Sequence, residues 1–367
     1  MVCERTLVVE RPGVVAVHDR SVSQVPSDGQ FEARTLYSGL SAGTELSFIR
    51  GSNPYLTGQW DAELGLFKPG PPGLSYPVTR LGYMEVAQVG ESRTAVVPSG
   101  RLIAMAYGHR SRYLGDPLVD RVVPLPDDLD PMLGIYVAHM GPICANGLLH
   151  AAAELHGAGV RTLADGVLGR QVVVTGAGVV GLLTAMFARR HGAASVVVID
   201  PTAQRRAAAA ALGFETADPD DADPAPILKA RWRHASADRG ADVVFQCRGQ
   251  ATSLALALRL LRPQGTVIDL AFYQAGAGEL RLGEEFHHNG LALRCAQIGR
   301  VPRGLAHSWD RDRLSAETLD LLRSNGADIR KHLVSDVLPL AEAPALLADL
   351  DRRRRHVLQA VFTFEGY

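Results

Sequence analysis

The pattern of hydrophobic and polar positions changes near residue 135. Before that point, β-prone residues stand in short runs that Gly, Pro, Ser and Asp separate, which is typical of strands joined by turns. Residues 51–77 are rich in Gly and Pro with aromatic residues interspersed. They predict a long ordered loop that either covers a site or lies on the surface, pinned by its aromatics. The predicted strands are residues 7–10, 13–18, 32–36, 83–89, 101–106 and 120–124.

After residue 135, apolar strands alternate with helices along the chain. This alternation predicts βαβ units around a parallel sheet. The sequence therefore favours an α/β fold in which a β-rich domain accompanies a doubly wound sheet. The predicted strands here are residues 171–175, 195–200, 242–247, 266–270 and 357–364, and the predicted helices are residues 179–190, 203–212, 227–236 and 252–261.

Composition limits the class of protein. A length of 367 residues suggests about two domains. Thirty-eight basic against 39 acidic residues leave a net charge of -1, which argues against nucleic-acid binding. Charged residues near the start exclude a signal-peptide pattern, and glycines interrupt the longest apolar run. The four cysteines are too far apart for a disulfide scaffold or a C-x-x-C site. We therefore expect a cytoplasmic protein with no membrane partner.

The strongest motif is a G-x-G-x-x-G pattern between a predicted strand and a predicted helix. Gly176 permits the tight turn, Gly178 lets the backbone approach a pyrophosphate, and Gly181 lets the helix pack on the strand. Val179 and Val180 then open the helix, whose N-terminus attracts the negative charge. This context predicts a Rossmann-type dinucleotide site.

Asp200 is the expected ribose-binding acid. It ends the second predicted strand, 19 residues after Gly181, close to the spacing of about 20 that the fold uses. A carboxylate there accepts hydrogen bonds from the ribose hydroxyls and repels a 2′-phosphate, so NAD(H) is favoured over NADP(H). Arg205 and Arg206 keep NADP(H) open as an alternative, although we expect both on a solvated helical turn.

Three further stretches, together with the glycine motif, carry a resemblance to the medium-chain dehydrogenase/reductase superfamily. They are Ser-Gly-Leu-Ser-Ala-Gly-Thr-Glu at 38–45, Gly-Tyr-Met-Glu-Val-Ala at 82–87 and Leu-Arg-Pro-Gln-Gly-Thr-Val at 261–267. The resemblance implies a GroES-like catalytic domain at residues 1–140, a Rossmann NAD-binding domain at 141–290 and a return to the catalytic domain at 291–367. It also implies a homodimer.

One branch of that superfamily is particularly similar. Residues 286–299, followed by Trp309 and Asp310, resemble the hydroxyethyl-oxidising dehydrogenases of bacteriochlorophyll synthesis and related enzymes from biosynthetic clusters. The resemblance therefore implies a specialised small-molecule substrate, which we expect to be polar or ring-bearing.

The chain departs from the zinc-binding members of the superfamily. Residues 41–45 contain no thiol where those members have a ligand cysteine, and Tyr83 follows Gly82 where they have histidine. The third ligand falls around residues 140–142, and Cys144 is out of register. Catalytic zinc needs about three protein ligands, and the four-cysteine structural lobe is also missing. We therefore expect no zinc.

Without zinc, a side chain must stabilise the oxyanion and supply the proton. Thr44 matches the proton-relay hydroxyl of the superfamily, and Tyr83 replaces a metal ligand. His139 lies near the third ligand position, while Glu45 matches a carboxylate that orients the groups around zinc. These four residues are the catalytic candidates, and Glu85 is a further one. His109 has no ligand-like spacing to an acidic residue.

Three residues are predicted on the cofactor side beyond the glycine motif, Asp200 and Arg205. Ala271 and Phe272 follow the last strand of the predicted sheet, at the level where the superfamily's backbone holds the nicotinamide. Arg248 ends the preceding strand and could reach the pyrophosphate or an acidic substrate.

The sequence therefore predicts an NAD(H)-linked alcohol dehydrogenase or carbonyl reductase acting on a secondary alcohol or ketone, cyclitol- or sugar-like. An enone, quinone or imine reductase is the alternative, because these relatives also lack zinc. A non-enzymatic nucleotide-binding protein, or an enzyme that recycles a tightly held NAD, also stays open.

Overall fold

The computed structural model describes residues 2–22, 25–278 and 280–364. The chain divides into two compact units. Unit 1 contains the chain up to His139 together with the residues from Val334 onwards, and unit 2 is Met140–Leu333. The first boundary lies between His139 and Met140. The second lies later than the expected position of 290, because a further sheet strand and a long helix still belong to unit 2.

The N-terminal part of unit 1 is mainly β-structure. Its elements are β1 (Val2–Arg11), β2 (Val14–Val22), β3 (Phe31–Gly39), α1 (Ala42–Ile49), β4 (Gln59–Asp61), β5 (Leu66–Lys68), β6 (Glu85–Ser92), β7 (Leu102–Met105), β8 (Arg112–Gly115) and β9 (Val123–Pro124).

Unit 2 begins with α2 and alternates strands with helices. Its elements are α2 (Met140–His156), β10 (Gln171–Thr175), α3 (Val179–Arg190), β11 (Ser195–Ile199), α4 (Ala203–Ala211), β12 (Glu215–Ala217), α5 (Pro224–Arg231), β13 (Arg233–Ala235), β14 (Asp238–Arg239), β15 (Ala241–Gln246), α6 (Ala251–Leu260), β16 (Leu261–Asp269), α7 (Glu285–His288), β17 (Ala292–Cys295) and α8 (Arg311–His332). The chain then returns to unit 1 with β18 (Val334–Pro339), α9 (Ala343–Asp351) and β19 (Gln359–Thr363).

The two sheets confirm the predicted α/β class. In unit 2, six parallel strands follow the order β12-β11-β10-β15-β16-β17. This order reverses direction between β10 and β15, as in a doubly wound sheet. In unit 1, the path β18-β19-β3-β6-β7-β9 forms the main sheet, and β8 pairs with β3. Here β19 lies antiparallel to β3, so the last strand of the chain pairs with one near its start.

Three local expectations need correction. The predicted loop at 51–77 contains a short hairpin, β4–β5. The ring centroid of Phe67 in β5 lies 5.4 Å from that of Tyr55 and 5.1 Å from that of Trp60. The predicted helix 227–236 starts earlier, at Pro224, because the side chain of Asp223 caps it. It also ends at Arg231 before the β13–β14 hairpin.

The third correction concerns Tyr83, which was expected in a strand. It precedes β6, because Gly82 has a φ of +98° that interrupts the extended backbone.

Candidate functional site

The glycine turn in unit 2 has the geometry that a pyrophosphate site requires. It joins β10 to α3, and Gly176 has a φ of +102°. A Cβ at Gly181 would lie 1.7 Å from the carbonyl oxygen of Gly176, so only glycine lets α3 pack this closely. At Gly178 a Cβ would meet no atom within 4 Å. The open space there, beside Val179 at the helix N-terminus, is free for a ligand.

Asp200 ties this turn to the second strand. Its carboxylate is 1% exposed and accepts hydrogen bonds from the backbone N–H of Ala177 at 2.9 Å and of Thr202 at 2.8 Å. Arg205 lies 3.9 Å from the same carboxylate. Two of the four lone-pair positions of a carboxylate are thereby used within the protein, which leaves the others for ribose hydroxyls.

The two arginines beside Asp200 do not lie in open solvent, contrary to expectation. Both are half-buried. Arg206 donates to the backbone carbonyl of Asp200 at 2.7 Å and pairs with Asp218 at 2.6 Å. The charge on Arg206 is therefore engaged, whereas Arg205 places a positive charge next to Asp200.

A cavity of about 510 Å³ lies in unit 2 beside the carboxyl ends of its strands. Thr175 and Ile199 line it from the ends of β10 and β11, and Arg248 and Gln250 line it from the segment after β15. This is the switch point at which doubly wound sheets bind dinucleotides, and the volume is that of a small-molecule pocket. Arg248 thus lines the cavity.

The segment after β16 carries the other cofactor-side candidates. The backbone N–H of Ala271 donates to the Asp269 carboxylate at 2.9 Å, and the hydroxyl of Tyr273 donates to the same group at 2.9 Å. Burial raises the pKa of Asp269. Phe272, between them, is 40% exposed. The Asp269 carboxylate therefore fixes the backbone that carries Ala271 and Phe272 at the carboxyl edge of the sheet.

In unit 1, a buried polar network surrounds the start of α1. Glu45 is 1% exposed and accepts from the backbone N–H of Ser41 at 2.7 Å. The other oxygen of Glu45 pairs with Nε2 of His109, also 1% exposed, at 2.7 Å. His109 Nδ1 lies 2.5 Å from the hydroxyl of Ser38, which donates to Glu85 at 3.0 Å.

The network contains two acidic side chains and one histidine, and their charges are coupled. Burial alone would lower the pKa of His109, but the Glu45 carboxylate outweighs it, and with Glu85 it raises this pKa above its usual value. Burial also raises the pKa of Glu85, although His109 opposes this shift. His109 and Glu85 therefore hold their protons more tightly than the free side chains do.

Two of the predicted catalytic side chains lie together next to this network. The Tyr83 hydroxyl is hydrogen-bonded to the hydroxyl of Ser41. The Tyr83 ring contacts the ring of His139, with centroids 4.6 Å apart. Thr44 lies half-buried in the first turn of α1, directly before Glu45. The sequence thus identified a tyrosine and a histidine that are in contact.

Ser41, Ser38 and His109 were not predicted as site residues from the sequence. Ser41 and Ser38 stand within the recognised stretch 38–45, in which Thr44 and Glu45 are the residues that match functional positions of the superfamily. His109 has its acidic partner 64 positions earlier. Spacing along the chain therefore carried no signal, because only the folded sheet brings the two together.

Among residues 2–22, 25–278 and 280–364, no group of three or more His, Cys, Asp or Glu side chains is arranged to hold a metal ion. Within the same ranges, no helix has the length and apolar character needed to cross a membrane.

Comparisons with known proteins point to one family. The family described as zinc-binding dehydrogenase matches residues 179–304. D-guloside 3-dehydrogenase of Escherichia coli K12 is 26% identical over 350 residues, 93% of this chain and 94% of that protein.

Two solved structures share the fold. Galactitol-1-phosphate dehydrogenase from E. coli has a TM-score of 0.74 at 17% identity, covering 98% of this chain and 100% of that one. A Sinorhizobium meliloti 1021 protein described as a zinc-binding dehydrogenase, bound to NADP, has a TM-score of 0.71 at 18% identity, covering 99% and 100%.

The glycine turn yields a test that separates folding from ligand binding. Because a Cβ at Gly178 has open space, the Tm of Gly178→Ala should lie within about 2 °C of the parent Tm. The added methyl group should nevertheless block the close approach of a pyrophosphate to the backbone. We expect its Kd for NADH, measured by fluorescence titration, to rise at least about tenfold, a loss of about 1.4 kcal/mol. Gly304→Ala, equally unhindered, is the control. An unchanged Kd in Gly178→Ala would place the pyrophosphate elsewhere.

Proposed function

Because the chain belongs to the medium-chain dehydrogenase/reductase superfamily and is a dehydrogenase, we propose that it interconverts a secondary alcohol and a ketone on a sugar- or cyclitol-like molecule. We further propose that it uses NAD(H) and no zinc. The observation that carries this proposal is the hydrogen bond between Tyr83 and Ser41, with the Tyr83 ring against His139. It supplies a hydroxyl acid at a position where zinc-binding members have a metal ligand.

The residues of unit 2 fit a nicotinamide dinucleotide. The open space at Gly178 suits the pyrophosphate, and the buried Asp200 suits the adenosine ribose. The cavity lined by Arg248 and Gln250 suits the remainder of the adenosine. When bound, the nicotinamide supplies or accepts the hydride.

The residues at the three ligand positions of the zinc-binding members do not fit a catalytic zinc. The segment from Ser41 to Glu45 offers no thiol, and the hydroxyl of Tyr83 is engaged by Ser41. The third ligand position falls near Gly141, where a Cβ would lie 2.1 Å from a side-chain carbon of Thr318, so no larger residue fits. Zinc prefers nitrogen and sulfur ligands, and these three positions supply neither. We therefore derive no step through a metal.

The side chains of unit 1 provide the proton chemistry instead. In the reducing direction, the carbonyl carbon takes the hydride and its oxygen takes the proton of the Tyr83 hydroxyl. Ser41 donates to the Tyr83 oxygen as negative charge develops there, and the ring of His139 holds the Tyr83 ring in place. In the oxidising direction, the Tyr83 oxygen accepts the alcohol proton. A positioned acid of this kind contributes about 10²- to 10⁴-fold to a rate.

The proposed substrate class rests on the relatives. One matching relative is a D-guloside 3-dehydrogenase that covers nearly the whole chain, and a solved structure of the same fold is a galactitol-1-phosphate dehydrogenase. Both names describe oxidation of a hydroxyl on a sugar or polyol. A nicotinamide dinucleotide is also the cofactor bound to the S. meliloti protein, as NADP.

Tyr83→Phe tests the proposed acid. This variant keeps the ring and its contact with His139 but removes the proton. We expect kcat, measured at 340 nm with hexopyranosides and polyols plus NAD⁺, to fall about 10²- to 10⁴-fold. The Kd for NADH, measured by fluorescence titration, should be unchanged. Tyr113→Phe, which loses a hydroxyl bonded to Asp120 in the same unit, is the matched control. Equal activity in both variants would remove Tyr83 from the mechanism.

Chelation tests the absence of zinc. Because the three positions that hold zinc in the zinc-binding members carry neither a thiol nor an imidazole here, dialysis against EDTA should leave kcat within about 20% of its initial value. Elemental analysis of the active enzyme should find far less than one zinc per chain. Loss of activity that added zinc restores would contradict the proposal.

Cofactor preference tests the role of Asp200. The buried carboxylate repels a 2′-phosphate, so kcat/KM should be at least about tenfold higher with NADH than with NADPH. Arg205→Gln should widen this ratio, because Arg205 is the positive charge beside Asp200. Arg206→Gln, whose charge already pairs with Asp218, should leave it unchanged. A tenfold or greater preference for NADPH would overturn the assignment.

A further inference from the structure

His109 is held rigidly in unit 1. The residue is 1% exposed, and its backbone N–H donates to the carbonyl of Leu81 at 2.7 Å. Its own carbonyl accepts from Leu7 at 2.9 Å, and its ring meets the ring of Phe362 edge-on at 5.0 Å. Its backbone and one side of its ring are therefore fixed by three separate parts of the chain.

The ring of His109 fixes the backbone next to Tyr83. A Cβ at Gly82 would lie 2.8 Å from Cε1 and Nε2 of this ring, so the imidazole is in close contact with the Gly82 backbone. Gly82 also has a φ of +98°, a conformation that other residues rarely adopt. The imidazole thus determines where the chain turns immediately before Tyr83.

The same ring fixes Ser41 through Glu45. Nε2 of His109 pairs with one oxygen of Glu45 at 2.7 Å. The other oxygen accepts from the backbone N–H of Ser41 at 2.7 Å. Glu45 therefore transmits the position of the imidazole to the residue whose hydroxyl bonds Tyr83.

We propose that His109 is a positioning residue that holds both partners of the Tyr83–Ser41 hydrogen bond, one through Gly82 and the other through Glu45. The inference rests on the proposed role of Tyr83 as the acid. His109 is a buried side chain that contacts neither the Tyr83 hydroxyl nor the Ser41 hydroxyl directly. Removing it should therefore reduce activity only through Tyr83.

Hydrogen bonding also defines the protonation of His109. The Ser38 hydroxyl donates its proton to Glu85, so towards Nδ1 it is an acceptor. Nδ1 and Nε2 then both donate, to Ser38 and Glu45, and the ring is an imidazolium. The charged groups facing it are Glu45 from α1 and Glu85 from β6, whereas β19 contributes only the ring of Phe362. The cation offsets two buried acidic groups.

A double-mutant cycle tests the proposal. His109→Gln should lower kcat at least about tenfold, with the Kd for NADH within twofold of the parent, because the dinucleotide residues lie in unit 2. In the Tyr83→Phe background the same substitution should cost less than about twofold, since its effect passes through the missing hydroxyl. His191→Gln is the matched control, because His191 is a mostly buried histidine 3.6 Å from Glu317 in unit 2. Equal losses in both backgrounds would overturn the inference.

The protonation of His109 gives a readout that is independent of activity. Nitrogen-15 chemical shifts should show both ring nitrogens protonated at pH 7.5, and Glu45→Gln should lower the pKa of His109, because the carboxylate is what raises it. A neutral His109 in the parent protein at this pH would overturn the imidazolium assignment. If Tyr83→Phe retains full activity, the proposed function fails. If instead the nitrogen-15 chemical shifts of His109 are unchanged in Glu45→Gln, the link from His109 to Ser41 through Glu45 is refuted.

Stability should depend on pH in a defined direction. Folding raises the pKa of His109 above its unfolded value of about 6.5, so the protonated residue stabilises the folded chain fully below that pH. This stabilisation is lost as the pH rises through the pKa of the folded state. The difference in unfolding free energy between the parent and His109→Gln should therefore shrink from pH 6 to pH 9 in urea titrations. A difference that grows with pH would contradict the raised pKa of His109.

Discussion

The buried hydrogen-bonded network that joins His109 to Glu45 and, through Ser38, to Glu85 is the interaction on which unit 1 depends. Taking charged side chains out of water costs several kcal/mol per ion, and removing one partner of a buried pair costs about 3–5 kcal/mol. Here every nitrogen and carboxylate oxygen involved has a hydrogen-bond partner, from side chains or from the backbone N–H groups of Ser41, Met84 and Tyr107. The start of α1, the end of β3 and the start of β6 are therefore joined by one electrostatic network.

Unit 2 uses a carboxylate in a related way. Asp200 accepts two backbone N–H groups and so fixes the glycine turn to the strand beside it before any ligand binds. Preorganised groups of this kind avoid an entropy cost at the moment of binding. In both units, an acidic residue that was predicted as a site residue, Asp200 or Glu45, holds the local backbone in shape.

Local sequence signals made much of the fold of unit 2 and part of the candidate site predictable. The glycine turn, the alternating strands and helices of unit 2 and the candidates Tyr83 and His139 all follow from short stretches of sequence. The network around His109 does not, because its members come from residues 38, 45, 85 and 109. The pairing of β3 with β6 sets Ser38 opposite Glu85, while Glu45 in α1 and His109 after β7 reach them only in the folded unit. The second unit boundary was misplaced for a similar reason. The pairing of β17 with β16 gives no local signal that distinguishes it from a strand of unit 1.

The pairing of β19 with β3 has a consequence for synthesis. Gly39 lies opposite Val361, the backbone N–H of Leu40 bonds to Ala360, and Phe362 packs on His109. Unit 2 is one uninterrupted stretch of chain, so it can fold while the ribosome is still working, as domains generally do. Unit 1 has to wait. Until residue 363 has been synthesised, β3 lacks its partner β19 and His109 lacks the ring of Phe362, so both stay exposed on the nascent chain.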